Sequence, residues 1–251
     1  MYQVSNVSFA IGKKTILKDI SFSINEGEVF TIIGPNGSGK TTLFRLLTGV
    51  YKASSGDICI DGIDIRTMTP KSLSKKIAVI SQNTNIQFPF TCFEVVMMGR
   101  NPHIANNRKP SQKDMNAVIS AMEQTNTLKY GNRLITTLSG GEKQRIMLAR
   151  SLAQDTPYIF LDEAFSEMDM HYVLKSMKLL RELVKRRGIT VVNIVHDLNV
   201  AYHFSDRVLM LKDGRIDSIG HKFEVMKNDN IERLFNIRVE NIQGKGMLVL
   251  P

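Results

Sequence analysis

Residues 1–27 alternate apolar and polar side chains, with a break at Gly12, Lys13, Lys14 and Thr15. The alternation predicts two antiparallel strands, 3–9 and 16–24, joined by a turn. Residues 28–33 are almost continuously apolar, as a buried strand is, and 42–47 carry apolar residues at helical spacing. A turn cluster at 54–57 precedes a strand at 58–60, a tight turn at Asp61 and Gly62, and a short extended piece at 63–65. Residues 76–80 read as another buried strand. From 83 to about 155 strand-like runs give way to helical spacing, with Met115, Val118, Ile119 and Met122 on one face and loops rich in Asn and Pro around 101–110. Two more apolar strands, 158–161 and 190–195, flank an amphipathic helix at 170–185. Strands at 207–211 and 215–219 meet at a turn on Asp213 and Gly214. Helices around 223–227 and 229–235 then lead into a closing hairpin, 238–242 with 247–250, across Gln243, Gly244, Lys245 and Gly246. The pattern predicts an α/β fold with a helical excursion between two core strands, and shows no internal repeat.

Composition narrows this picture modestly. The 251 residues suit one large α/β domain with an excursion, or two small domains. With 43% apolar and 23% charged residues the chain reads as globular, and no apolar run approaches the roughly 18–20 residues that span a bilayer. The first residues have neither a basic nor an apolar stretch, so no secretory signal is expected there. Cys59 and Cys92 lie far apart and in no metal-ligand spacing, which predicts free, buried thiols of a cytosolic protein. A net charge of +9 would allow phosphates, nucleic acid or an anionic membrane as partners. The cations are scattered, however, and the densest run, Lys185, Arg186 and Arg187, falls at a helix end; a solvated surface is expected, and no nucleic acid.

The chemistry starts at Gly34, Pro35, Asn36, Gly37, Ser38, Gly39, Lys40 and Thr41. Two glycines five apart, then Lys, then Thr, make the phosphate-binding P-loop pattern. Glycines let the backbone turn tightly and aim amides at phosphate oxygens. Lys40 supplies a point charge for the β- and γ-phosphates, the Thr41 hydroxyl can sit on Mg²⁺, and the following helix adds its positive end. The stretch implies a bound nucleoside triphosphate. In open α/β sheets ligands sit at the carboxyl ends of the strands. The residues that follow the apolar strands are therefore candidates: Gly34 onward, Gln82, Asp162 with Glu163, and His196. Asp162, after four apolar residues, has the position of a carboxylate that holds Mg²⁺, and Glu163 can orient or deprotonate an attacking water. His196 points to a γ-phosphate contact, whereas Gln82 taken alone is a structural amide. His171, His203 and His221 show no ligand spacing. At 138–142, Ser139 reads as an N-cap with Glu142 completing a capping box. A cap does not require Gly140 and Gly141, which weaken a helix by about 1 kcal/mol each relative to Ala. Backbone approach to a ligand would explain them.

With these motifs in this order, the chain resembles an ABC-transporter nucleotide-binding subunit over essentially its whole length. The P-loop at 34–41, Gln82, the signature at 138–142, the strand and carboxylates at 158–163, the D-loop at 166–169 and His196 carry the resemblance. It implies a P-loop NTPase (RecA-like) α/β core with an N-terminal antiparallel β subdomain and an inserted helical subdomain. As one ATPase domain, residues 1–82 and 156–236 would form the core, 83–155 the helical signature subdomain and 237–251 a C-terminal hairpin. It implies ATP and Mg²⁺, with residues 34–41, Thr42, Asp162, Ser139, Gly140 and Gly141 on the nucleotide and Thr41, Gln82 and Asp162 on the metal. Glu163 would be the catalytic base and His196 the γ-phosphate linchpin, with Lys40 and Gln82 completing the catalytic set. Such subunits act as head-to-tail homodimers with two ATP molecules between the P-loop of one chain and the signature of the other. In the importers among them the dimer docks peripherally, on the cytoplasmic face of the membrane, beneath permease subunits fed by a substrate-binding protein.

A narrower resemblance rests on Phe88, Pro89, Phe90 and Thr91, on 94–103 with Gly99, Arg100, Asn101, Pro102 and His103, and on the tail at 234–237 with the hairpin. It is to the ATPases of iron-siderophore, haem and cobalamin importers. Zinc/manganese or molybdate importer ATPases, and soluble relatives such as an iron–sulfur assembly subunit, are the alternatives. Two positions depart from the family pattern. Ile11 stands where an aromatic usually stacks on adenine, with Phe9 on the same strand face as a substitute, and Ala164 and Phe165 replace the usual Pro-Thr after the catalytic Glu.

Overall fold

The alternation along the first 24 residues becomes a hairpin because one face of each strand has a core to meet. In this computed structural model, which describes residues 1–81, 86–105, 108–242 and 245–250, β1 (Tyr2–Ile11) and β2 (Lys14–Ile24) pair antiparallel. Tyr2, Val4, Val7, Leu17, Ile20 and Ile24 are buried from them. The chain divides into two compact units, 1–68 with 184–251, and 69–183.

In the first unit, β4 (Ser55–Ile60) joins the other edge of β1 and β5 (Ile63–Asp64) joins β4, giving an antiparallel sheet in the order β2-β1-β4-β5. Ile65 does not prolong β5. The Asp64 side chain accepts from the Arg66 amide at 2.8 Å and turns 65–67 into a single 3₁₀ turn. β3 (Val29–Ile33) lies between β8 (Thr190–Ile194) and β9 (Arg207–Lys212), parallel to both, and β10 (Arg215–His221) returns antiparallel to β9. Every residue of β3 and β8 is buried, Thr31, Thr190 and Asn193 included, the reason these segments read as mostly apolar runs rather than alternating ones. Helix α1 (Lys40–Leu47) follows β3, and α7 (Leu198–Phe204) follows β8. α8 (Lys222–Val225) and α9 (Asn228–Phe235) lead to the hairpin β11 (Arg238–Ile242) and β12 (Gly246–Leu250). Its turn at Gln243 and Gly244 lies outside the described residues. Ile33, Tyr202, Met210, Ile231, Leu234 and Val239 share one apolar cluster, and the Asn199 side chain bonds both polar groups of the Met247 backbone.

In the second unit, α2 (Pro70–Ser74) precedes β6 (Ile77–Ile80), which pairs in parallel with β7 (Tyr158–Asp162). Between them come α3 (Cys92–Met97), α4 (Gln112–Gln124) and α5 (Gly140–Ala153), and α6 (Met170–Arg187) begins after β7. α3, α4 and α5 each start on a capping box, Thr91 with Glu94, Ser111 with Asp114 and Ser139 with Glu142. These helices pack on one another and account for the strand-poor texture of 83–155. Cys92 is buried, and burial pushes its thiol above the ordinary value; Cys59 is only half-buried, contrary to the expectation of two buried thiols. No helix among the described residues is long and apolar enough to cross a membrane.

Candidate functional site

β3 runs directly into Gly34, and packing there leaves no room for a side chain. A Cβ on Gly34 would collide with the Leu211 carbonyl oxygen and lie 2.8 Å from Ser38 Oγ. Gly39 sits at φ 104, where other residues are strained, and a Cβ on it would meet Leu17 Cδ2 at 2.8 Å. As N-cap of α1 it offers no side-chain acceptor, so the first amides of the helix stay available to a ligand. Lys40, 6% exposed, folds back over the loop and donates to Gly34 O at 2.8 Å and Pro35 O at 3.0 Å. Ser38 Oγ is buried with no hydrogen-bond partner among the described residues. A glycine-walled cradle at a helix start without a side-chain cap, with a buried hydroxyl lacking a partner among the described residues and a buried ammonium, fits a phosphate chain.

One support of this loop escaped the sequence reading. Gly214, taken as half of a turn, donates from its amide to Ser38 O at 3.0 Å and accepts from the Lys18 amide at 2.9 Å. A Cβ there would strike Ile16 O. The Asp213–Gly214 pair signals only a turn in the sequence; the left-handed φ of 73 and the close contacts appear with the fold.

His196 leaves the same sheet at the same end. β8 is in parallel register with β3, Ile194 opposite Ile32, so His196 and Gly34 each follow a neighbouring strand. Asp197 then caps α7, accepting from the amides of Asn199 at 2.7 Å and Val200 at 3.1 Å, and fixes the turn that presents the exposed imidazole.

In the second unit the buried strand β7 ends on Asp162, itself buried, and the next residue, Glu163, takes φ 49. A left-handed conformation is uncommon for Glu and is found where a site demands a particular side-chain direction. The chain then turns tightly, with Ser166 N donating to Glu163 O at 3.2 Å and Met168 N to Phe165 O at 3.1 Å. Gln82 lies outside the described residues.

The signature glycines have a local explanation as well as a ligand-based one. A Cβ on Gly140 would run into the Glu167 carboxylate, and one on Gly141 would meet Glu167 O at 3.3 Å. The Glu167 amide donates to Gln144 Oε1 at 3.2 Å. Within one chain, then, the D-loop occupies the space those glycines leave. Ser139 donates to Glu142 Oε2 from its amide at 2.9 Å and from its hydroxyl at 3.0 Å. Those bonds, with one from the Tyr130 hydroxyl, hold the Glu142 carboxyl below its ordinary value.

Residues 88–103 grip both ends of α5. On its N-terminal side, Cys92 N donates to Arg133 O at 2.8 Å, Phe93 N to Gly131 O at 3.0 Å and Ile135 N to Phe90 O at 2.9 Å, just before the signature. On its C-terminal side a Cβ on Gly99 would collide with Arg150 O. Arg100 pairs with Asp114 at 3.0 Å and donates to Ala153 O at 2.7 Å, and His103 Nε2 meets Gln154 O at 2.7 Å. The Gln154 amide continues to Ser74 O at 2.6 Å and Ile77 O at 2.8 Å. None of this is local in sequence.

Ile11 is 60% exposed, and Phe9 is already engaged, stacked on Tyr51 at 5.3 Å. His203 bonds the Lys245 carbonyl oxygen at 3.1 Å, and no metal-type cluster of His, Cys, Asp and Glu occurs among the described residues.

The model of the ABC transporter family matches residues 17–166. A petrobactin import ATP-binding protein of Bacillus anthracis is 36% identical over 97% of this chain and 90% of its own length. A hemin import ATP-binding protein of Methylobacillus flagellatus is 33% identical over 94% and 90%. Among solved structures, an inward-facing putative metal-chelate type ABC transporter superposes with TM-score 0.85 at 25% identity, covering 100% of this chain and 97% of that one. A dimeric ATP-binding cassette in a post-hydrolysis state, bound to ADP and Pi, gives TM-score 0.78 at 29% identity over 88% and 98%. The chain belongs to the ABC transporter family, as an ATP-binding cassette ATPase.

Proposed function

We propose that this cassette powers uptake of a metal chelate, working as a head-to-tail homodimer docked beneath permease subunits on the cytoplasmic face of the membrane. The observation that carries the reading is the segment 88–103. Its Phe88, 71% exposed, and Phe90 face solvent on a stretch hydrogen-bonded to residues 131–135, immediately before the signature. A partner seated on those rings would pull on the segment that holds Ser139, Gly140 and Gly141. Relatives named for petrobactin and hemin import, and a metal-chelate type transporter, support the cargo class.

In this reading residues 34–42 hold the triphosphate, with Lys40 turning from its two carbonyls toward the β- and γ-phosphates. Thr41, Asp162 and Gln82 supply oxygen ligands of the kind Mg²⁺ prefers, and the ion neutralises charge on the phosphate oxygens when bound. Glu163 takes a proton from the attacking water as its oxygen bonds to the γ-phosphorus and the bond to the ADP oxygen breaks. His196 donates to the γ-phosphate oxygens. Ser139, Gly140 and Gly141 present the start of α5 to the nucleotide of the partner chain, and the dimeric relative with ADP and Pi supports a paired arrangement.

The test is reconstitution in vesicles with a permease pair and a binding protein loaded with a ferric siderophore, haem or cobalamin. Loaded binding protein is expected to raise ATP turnover, and Lys40→Ala to abolish both turnover and uptake. Turnover indifferent to every permease and loaded binding protein, with activity toward iron–sulfur assembly instead, would replace this reading with the soluble one.

A further inference from the structure

A pocket of about 70 Å³ opens among the C-terminal end of α4, the middle of α5 and the early turns of α6, lined by Gln124, Arg145, Leu148, Tyr172, Lys175 and Ser176. Arg145 is 6% exposed, yet no carboxylate pairs with it among the described residues. The nearest acid on its helix, Glu142, is taken by Ser139 and the Tyr130 hydroxyl. Its guanidinium lies 4.3 Å from the Tyr172 ring centroid and 5.7 Å from that of Tyr130. Among the described residues its one hydrogen bond runs from Nη2 to Tyr130 Oη at 3.4 Å, and Nε is buried with no partner there.

Ring faces attract a cation but cannot accept the in-plane N–H bonds of a guanidinium. A largely buried charge with an orphaned Nε–H and no counter-charge is costly unless something supplies acceptors. Lys175, exposed and without a hydrogen bond or ion pair among the described residues, adds a second cation to the same pocket. Size restricts the ligand. A water occupies about 30 Å³ of liquid, whereas organic ligand sites run from about 300 Å³ upward, so this space suits a small ion and not a nucleotide.

We propose that the pocket binds a free tetrahedral oxyanion of the phosphate class, held in-plane by Arg145 and capped by Lys175. Such an ion would tie α5, which begins at the signature, to α6, which follows the D-loop.

Isothermal titration of nucleotide-free protein with inorganic phosphate at constant ionic strength tests this, with Lys40→Ala as the starting protein so that the loop at 34–41 contributes little. One saturable site is expected for phosphate and for sulfate, with planar, singly charged acetate at least about tenfold weaker. Arg145 is buried and its replacement risks the fold, so Lys175→Glu at the exposed side carries the test; it should lower phosphate affinity at least about tenfold. A titration followed on the arginine Nε–H resonances should shift Arg145. Absence of saturable binding in Lys40→Ala, equal affinity for acetate, an unshifted Arg145, or unchanged affinity in Lys175→Glu would each overturn the proposal.

Discussion

Replacing Asp114 by Asn removes one charge from a buried pair while keeping its shape. Arg100 Nε and Asp114 Oδ1 lie 3.0 Å apart, on side chains 5% and 10% exposed. Ser111 donates to the same carboxylate from its hydroxyl at 2.6 Å and its amide at 2.9 Å. These bonds first, and then Arg100, hold the Asp114 carboxyl at about 2 against an ordinary 3.8. At about 1.4 kcal/mol per pH unit, that depression contributes about 2 kcal/mol. Asn also leaves the Arg100 guanidinium buried without its counter-charge, and breaking one side of a buried pair costs about 3–5 kcal/mol. Asp114→Asn should therefore lose about 3–5 kcal/mol at pH 7, measured by urea unfolding. Because the folded value is depressed, the contribution is complete above the unfolded value and disappears as pH falls through about 2. The gap between wild type and variant should narrow from pH 4 down to about 2. Arg100→Met and the double variant close a cycle, with an expected coupling of about 1–3 kcal/mol. A loss at pH 7 below about 1 kcal/mol, or a gap that does not change with pH, would refute the reasoning.

Gly34→Ala should abolish measurable ATP binding in an equilibrium assay and destabilise the chain by about 1–3 kcal/mol, because its Cβ is driven into Leu211 O. Wild-type affinity in that variant would mean the loop has another conformation. Ser139→Ala should cost about 1 kcal/mol through the lost cap and let the Glu142 carboxyl titrate nearer its ordinary value, as NMR titration would read. The stability the depressed Glu142 provides is present above its unfolded value and fades as pH falls through the folded one, so the penalty of the variant should shrink in acid.

The parts of the molecule written in local chemistry were readable from the chain. The loop at 34–41 needs Gly34, Gly39 and Lys40 at fixed spacing, and the strands before Gly34, Asp162 and His196 announce themselves by nearly continuous apolar runs. The parts that depend on distant neighbours were not readable. Gly140 looked like a concession to a ligand, and only the folded chain shows Glu167 filling the space beside it. Gly99, Arg100 and His103 appeared as a family motif without a mechanism, because their partners, Arg150, Ala153 and Gln154, come fifty residues later. Ile65 was expected to end a short extended piece at 63–65, and the Asp64 cap turns it into a 3₁₀ turn instead. Phe9 was open as an adenine platform until its stacking on Tyr51 was seen.

Glu163 follows β7 in a left-handed conformation, and we propose that it activates the water that cleaves ATP. Phosphate release and ATP-dependent association, measured together on one preparation of Glu163→Gln, test it most directly. ATP-bound dimers are expected, with turnover lowered by about 100-fold or more. Wild-type turnover from those dimers would contradict it.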